Sequence, residues 1–137
     1  MVQKVIDLGT KERLTYISLF SSAGVGCFGF KKQGFKCIAT NELVERRIAV
    51  QIANNKCDSS SGYICGSLKE SSVKQRIYEE LKKEKIEDLD VLIATPPCQG
   101  MSVANHKKND GDKERNSLVV ESINMVIKIK PKIFIFE

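Results

Sequence analysis

The sequence predicts an α/β fold: a parallel sheet with helices on both faces. Two observations predict it. Five short segments rich in β-branched and aromatic residues alternate with stretches of helical periodicity. One of them, residues 89–95 (LDVLIAT), is a near-continuous run rather than an alternating one, which is the pattern of a strand buried on both faces. A length of 137 residues favours a single domain, and 42% hydrophobic with 28% charged residues is ordinary for a globular protein with a core. That balance excludes a disordered tail, a collagen and a disulfide-rich toxin.

Residues 14–20 (LTYISLF) form the first predicted strand. A small-residue turn, SSAGVG, leads into a short helix that runs through Phe30 to Gln33 and is closed by Gly34. Residues 35–40 (FKCIAT) are the second strand, and a helix over 43–55 turns Leu43, Ile48, Ile52 and Ala53 toward one face. A short third strand spans 62–66. The charged amphipathic helix over 68–85 places Val73, Ile77 and Leu81 at i, i+4 and i+8. After the fourth strand at 89–95, the polar segment 96–115, with Gly100 and Gly111, reads as a long mobile loop. A helix over 117–129 carries Leu118, Ile123, Val126, Ile127 and Ile129; Pro131 ends it, and residues 132–136 (KIFIF) are the fifth strand. No repeat or linker divides the chain.

Lys and Arg number 22 against 17 Asp and Glu, a net charge of +5 that suits either an ordinary solvated surface or a polyanionic partner. The five cysteines form no CxxC pair, and His106 is the one histidine, which argues against a Cys/His zinc site and a Ser-His-Asp triad. The start has no apolar signal core, and the longest apolar runs, VLIA and IFIF, fall far short of the roughly 18 residues of a membrane span. The expectation is a cytoplasmic protein with free thiols and no metal.

In such sheets ligands sit outside the carboxyl ends of the strands, near the switch in strand order. Three strand ends here carry chemistry. The first ends in Phe20-Ser21-Ser22-Ala23-Gly24-Val25-Gly26, where small residues let backbone approach a ligand. Gly24, Gly26 and Gly29 match G-x-G-x-x-G, but three residues separate the strand end from the first glycine, unlike a dinucleotide fingerprint. The second ends at Asn41-Glu42, where a carboxylate can accept hydrogen bonds from a ribose diol. Together these read as a nucleoside site. The fourth ends in Thr95-Pro96-Pro97-Cys98-Gln99-Gly100-Met101-Ser102. Two prolines stiffen the approach to Cys98, and a thiol at the catalytic end of a sheet is a candidate nucleophile. Cys27, Cys37 and Cys65 fall in packed segments and Cys57 in a loop.

These segments, in this order, resemble the DNA (cytosine-5) methyltransferases. Ser18 through Gly26 is similar to the family's cofactor loop, Asn41-Glu42-Leu43 to its second motif, and Pro96-Pro97-Cys98-Gln99-Gly100-x-Ser102 to its nucleophile motif. Arg115-Asn116-Ser117-Leu118 resembles the segment before the fifth strand, and Pro131 through Glu137 the approach to a Glu-Asn-Val motif. The sequence departs from the pattern in three places: Ser18 where Asp is frequent, Ser22 and Val25 where glycines are, and Gly66-Ser67-Leu68 where an Asp usually meets the adenine.

The resemblance implies a Rossmann-like methyltransferase fold with strand order 3-2-1-4-5, lacking its later strands. It divides the chain into an N-terminal extension, residues 1–13, and the first part of a catalytic domain, residues 14–137, without the target-recognition region. The implied cofactor is S-adenosylmethionine, held by Phe20, Ala23, Gly24, Val25, Glu42, Leu43, Ser67, Leu68, Pro97 and Leu118. Cys98 is the implied nucleophile and Glu137 the group facing N3 of cytosine. Gln99, Ser102 and Arg115 are implied to hold DNA, while Lys107, Lys108 and Lys113 fit a solvated loop equally well. Further expectations are the downstream half of the enzyme as a separate chain, self-association through an exposed sheet edge, and a fragment inactive alone. Methylation of RNA cytosine by the same fold remains a rival, as does an NAD-dependent oxidoreductase, which leaves Pro-Pro-Cys without a role.

Overall fold

A computed structural model describes residues 13–97 and 110–137, with side chains from 117 onward in the second stretch. Five strands, β1 (Thr15–Leu19), β2 (Lys36–Glu42), β3 (Tyr63–Cys65), β4 (Val91–Ala94) and β5 (Ile133–Phe136), alternate with four helices. The helices are α1 (Phe28–Lys32), α2 (Glu45–Ala53), α3 (Ser71–Lys83) and α4 (Asp110–Ile129). All strand pairs are parallel, in the order β3-β2-β1-β4-β5. The class, the strand order and the five strands therefore agree with expectation. β1 lies between β2 and β4, so the order reverses at its carboxyl end, which is where a ligand crevice is expected.

Alternation within the strands explains why their sequences are apolar throughout. Ile17, Leu19, Leu92 and Ala94 join one buried cluster with Val73 and Ile77 of α3 and Met125 of α4. Their neighbours Tyr16, Val91 and Ile93 join a second cluster with Cys27, Cys37 and Cys57, against which Phe30 and Phe35 pack. Tyr16 stacks on Phe30, and Phe30 meets Phe35 edge-on, both at 5.1 Å between ring centroids. The Cys57 thiol donates to the Cys37 sulfur at 3.4 Å. That hydrogen bond, together with burial, pushes the Cys57 pKa far up.

At the amino ends of the strands, Asp90 joins three of them. Its carboxylate accepts from the Thr15 amide at 2.8 Å, the Thr15 hydroxyl at 3.1 Å and the Lys132 ammonium at 2.8 Å. Burial pushes this carboxyl up, but the hydrogen bonds from Lys132 and Thr15 outweigh it and hold it below the usual range.

Two expectations need correction. Residues 110–115, assigned to a loop, begin α4. Helix α2 starts at Glu45, not at 43, and buries Ile48 and Gln51, while Leu43 and Ile52 are exposed. Cys57 lies in a loop, as expected, and is buried there. β5, expected at an exposed sheet edge, is exposed at all four positions among the described residues. No described helix is long and apolar enough to cross a membrane.

Candidate active site at the carboxyl ends of the strands

Beyond β1 the backbone is strained. Phe20 has φ 54°, Ser22 φ 49° and Gly24 φ 87°, so two residues with side chains share the left-handed region with one glycine. Non-glycine residues held there cost of order 1–3 kcal/mol each and persist only where their surroundings over-determine them. The surroundings do so here. The Thr95 hydroxyl, just past β4, donates to the Phe20 carbonyl at 2.9 Å. The Ser21 amide donates to the Asn41 carbonyl at 2.9 Å and the Gly24 amide to the Ser21 carbonyl at 2.8 Å. The Ser22 amide donates to Glu42 Oε2 at 2.8 Å. The strain thus sits where β1, β2 and β4 end together.

Glu42, the last residue of β2, is buried. Its Oε1 accepts from the Val44 amide at 3.0 Å and lies 3.4 Å from Arg47 Nη1. Two backbone amides therefore fix the carboxylate's orientation at the edge of a crevice. A carboxylate offers about four lone-pair sites, so acceptor capacity remains for a ligand hydroxyl. Asn41 points the other way, its Nδ2 donating to the carbonyls of Ile64 at 3.2 Å and Gly66 at 3.0 Å. That ties the end of β2 to the turn after β3. Gly66 has φ 141°, and a Cβ there would stand 2.6 Å from Val73 Cγ2, so only glycine fits.

Around these groups opens a cavity of about 320 Å3. Phe20, Glu42, Leu43, Ser67, Leu68, Pro97 and Leu118 line it, which brings seven of the ten expected cofactor residues together. Ala23, Gly24 and Val25 do not line it; they border a second cavity of about 300 Å3 on the other side of the same loop. Glu137 follows β5, and its amide donates to the Ala94 carbonyl at 3.1 Å. This sets it on the same rim as Pro97. Cys98, Gln99 and Ser102 lie outside the described residues, and Arg115 is in α4 with its side chain outside them. Gly29, the third glycine of that pattern, would admit a Cβ with nothing within 4 Å, so it makes none of the close helix–strand packing a dinucleotide turn requires there.

Sequence reasoning missed Thr95, Val44 and Arg47, which hold or line the rim, and Gln51 beneath the loop. Only Thr95 carried a signal, its place at the end of a predicted strand.

The profile of the C-5 cytosine-specific DNA methylases matches residues 14–137. The chain belongs to that family. It is 33% identical to the type II methyltransferase M1.HgaI of Avibacterium volantium over 93% of its own length and 35% of the relative's. It is 30% identical to M.AquIA of Picosynechococcus sp., covering 88% of this chain and 46% of that one. A crystal structure of a prophage-encoded DNA modification methyltransferase (E. coli) superimposes with a TM-score of 0.66 at 23% identity. It covers 90% of this chain and 31% of its own, and it bears on the fold alone. The chain thus spans about a third to a half of the length of these relatives.

Proposed function

We propose that the chain is the cofactor- and nucleophile-bearing part of a DNA (cytosine-5) methyltransferase. The observation that carries this reading is the cavity of about 320 Å3 at the topological switch point, lined by Phe20, Glu42, Ser67 and Pro97 from four different strand ends. The cavity suits S-adenosylmethionine in kind. Leu43, Leu68, Pro97 and Leu118 offer apolar walls to a flat base, and Glu42 offers an oriented acceptor to ribose hydroxyls. Leu43 is 66% exposed at its mouth, an apolar surface that a bound base would cover. When bound, the cofactor supplies an electrophilic methyl group.

The chain's own residues would supply the rest. C5 of cytosine is a poor nucleophile, and a thiolate bonding to C6 turns the ring into an enamine that is reactive at C5. Cys98 provides that thiolate. The C5–C6 π electrons move toward N3, where the Glu137 carboxyl donates a proton or hydrogen bond. C5 then takes the methyl group, loses its proton to a base, and the returning electron pair expels Cys98. The base must leave the duplex to reach the rim. Gln99, Ser102 and Arg115 follow the nucleophile in sequence and are proposed to hold the opened DNA. Because the chain spans only part of its relatives, turnover is assigned to its assembly with the polypeptide matching their remaining length.

Calorimetry with S-adenosylhomocysteine and with NAD tests the cofactor reading on the chain as it stands. Saturable binding of the first and none of the second is expected; tighter NAD binding overturns the reading.

A further inference from the structure

Beneath the strained loop lies a buried polar cluster that the methyl-transfer chemistry does not use. Gln51 of α2 and Thr40 of β2 are both 0% exposed, and Lys56 and Ser21 are 7% exposed. Thr40 Oγ1 lies 2.7 Å from Gln51 Oε1 and 2.7 Å from Ser21 Oγ. Gln51 Nε2 donates to Ser21 Oγ at 2.9 Å and to the Ser22 carbonyl. Ser21 Oγ donates to the Asn41 carbonyl at 3.0 Å, and Lys56 Nζ to Thr40 Oγ1 at 2.9 Å.

One assignment of protons gives each of these atoms a partner and leaves only the Thr40 Oγ1–Ser21 Oγ contact without a proton between its oxygens. An ammonium only donates, so Thr40 accepts from Lys56 and has one proton to give. Gln51 Oε1 needs that proton, because Ser21 Oγ already receives one from Gln51 Nε2. The amide oxygen of Gln51 therefore faces Thr40, and both its N–H groups face the loop. The reverse orientation sets two oxygens, Gln51 Oε1 and the Ser22 carbonyl, against each other. The stems of the same residues close the space under Gly24, where a Cβ would stand 3.2 Å from Gln51 Cγ and 3.3 Å from Lys56 Cδ.

We propose that Gln51 is a positioning residue for the cofactor loop: it holds Ser21 and Ser22 from below in their strained conformation, with Thr40 and Lys56 fixing the direction of its amide. Glu42 grips the same loop from the cavity side through the Ser22 amide. The two grips together set Phe20 and Ser22 on the cavity wall before a ligand arrives, which removes an ordering cost from binding. The link to cofactor rests on the function proposed above; the hold on the loop does not.

Gln51→Met keeps length and volume but loses the donors and the acceptor. Thr40→Val is a second variant that leaves Gln51 Oε1 without its donor. Hydrogen exchange and S-adenosylhomocysteine calorimetry on the chain are the measurements. Both variants should speed exchange of the Ser22 and Gly24 amides about tenfold, the scale of one lost hydrogen bond, while Leu92 and Ile93 in the sheet keep wild-type rates. Affinity should fall by a similar factor. Exchange raised alike across the sheet, with affinity of the folded fraction unchanged, would mean a merely structural role and overturn the inference. Unchanged exchange at Ser22 and Gly24 overturns it whatever the ligand does. A wild-type chain that binds no S-adenosylhomocysteine, with the loop loosened in the variants, overturns the cofactor reading and leaves the positioning role supported.

Discussion

Phe20 and Ser22 show how single residues mark this site. Neither favours a positive φ, yet both adopt one, two positions apart, and each is locked by a hydrogen bond from a different strand end. The sequence of the loop revealed its small residues but not this strain, because strain is a property of the partners. At the same scale, four of the five cysteines can be compared. Cys27, Cys37 and Cys57 are buried, and the Cys65 thiol donates to the Leu43 carbonyl at 3.5 Å. Reactivity needs an accessible thiolate, which burial denies to Cys27, Cys37 and Cys57; Cys98 is the nucleophile proposed above. In the chain joined to the polypeptide that completes its relatives, an oligonucleotide carrying 5-fluorocytosine should form a covalent adduct. Cys98→Ser should reduce that adduct to background while S-adenosylhomocysteine still binds. Peptide mapping that places the adduct on Cys65 would transfer the role.

Among the elements, the strands were the most legible part of the sequence, because burial on both faces writes a continuous apolar run that little else imitates. Helix α2 was less so. Its apolar pattern found the buried Ile48 but also pointed to Ile52 and Ala53, whereas the second buried position is Gln51, chosen for hydrogen bonds that hydropathy does not register. The start of α4 was hidden for another reason: DGDKER is polar enough for a loop, yet Asp110 and Asp112 fall at a helix N-terminus, where negative charge is favourable. The cavity residues were legible from motif order, whereas Thr95 and Gln51 act through backbone carbonyls and leave no motif. Asp90 gives a test at this scale. Its folded-state pKa is depressed, so its stabilising contribution is complete above the ordinary Asp range, near pH 4. It is lost as pH falls through the lower folded value. Asp90→Asn should lower stability at neutral pH by about 1 kcal/mol, the scale of hydrogen bonds lost from a part-buried carboxylate. It should also flatten the decline in melting temperature below about pH 4. Parallel acid curves for the two proteins would show that Asp90 does not join the strands as described.

On the scale of the molecule, the two flanks of the sheet differ. Among the described residues both edge strands have one partner, but β3 packs against α2 and α3 and buries Ile64, while β5 beside β4 exposes Ile133, Phe134, Ile135 and Phe136. Helix α4 adds Val120, Ile123 and Ile127, each about half exposed or more. Among the described residues, one flank thus combines an unpaired strand edge with several exposed large apolar side chains, the arrangement that templates pairing with another chain. The basic excess of +5 opposes association only weakly at physiological salt, where charges beyond about 8 Å are screened. We expect the chain alone to associate with itself through β5, and light scattering should show a mass that rises with concentration. Phe134→Lys together with Ile127→Glu should return it toward a monomer without weakening S-adenosylhomocysteine binding, because neither residue lines the cavity. The polypeptide matching the remaining length of the relatives should compete for the same flank and suppress self-association when added. A wild-type chain that stays monomeric at high concentration would show that this flank is tolerated in water, and the double variant would then change nothing.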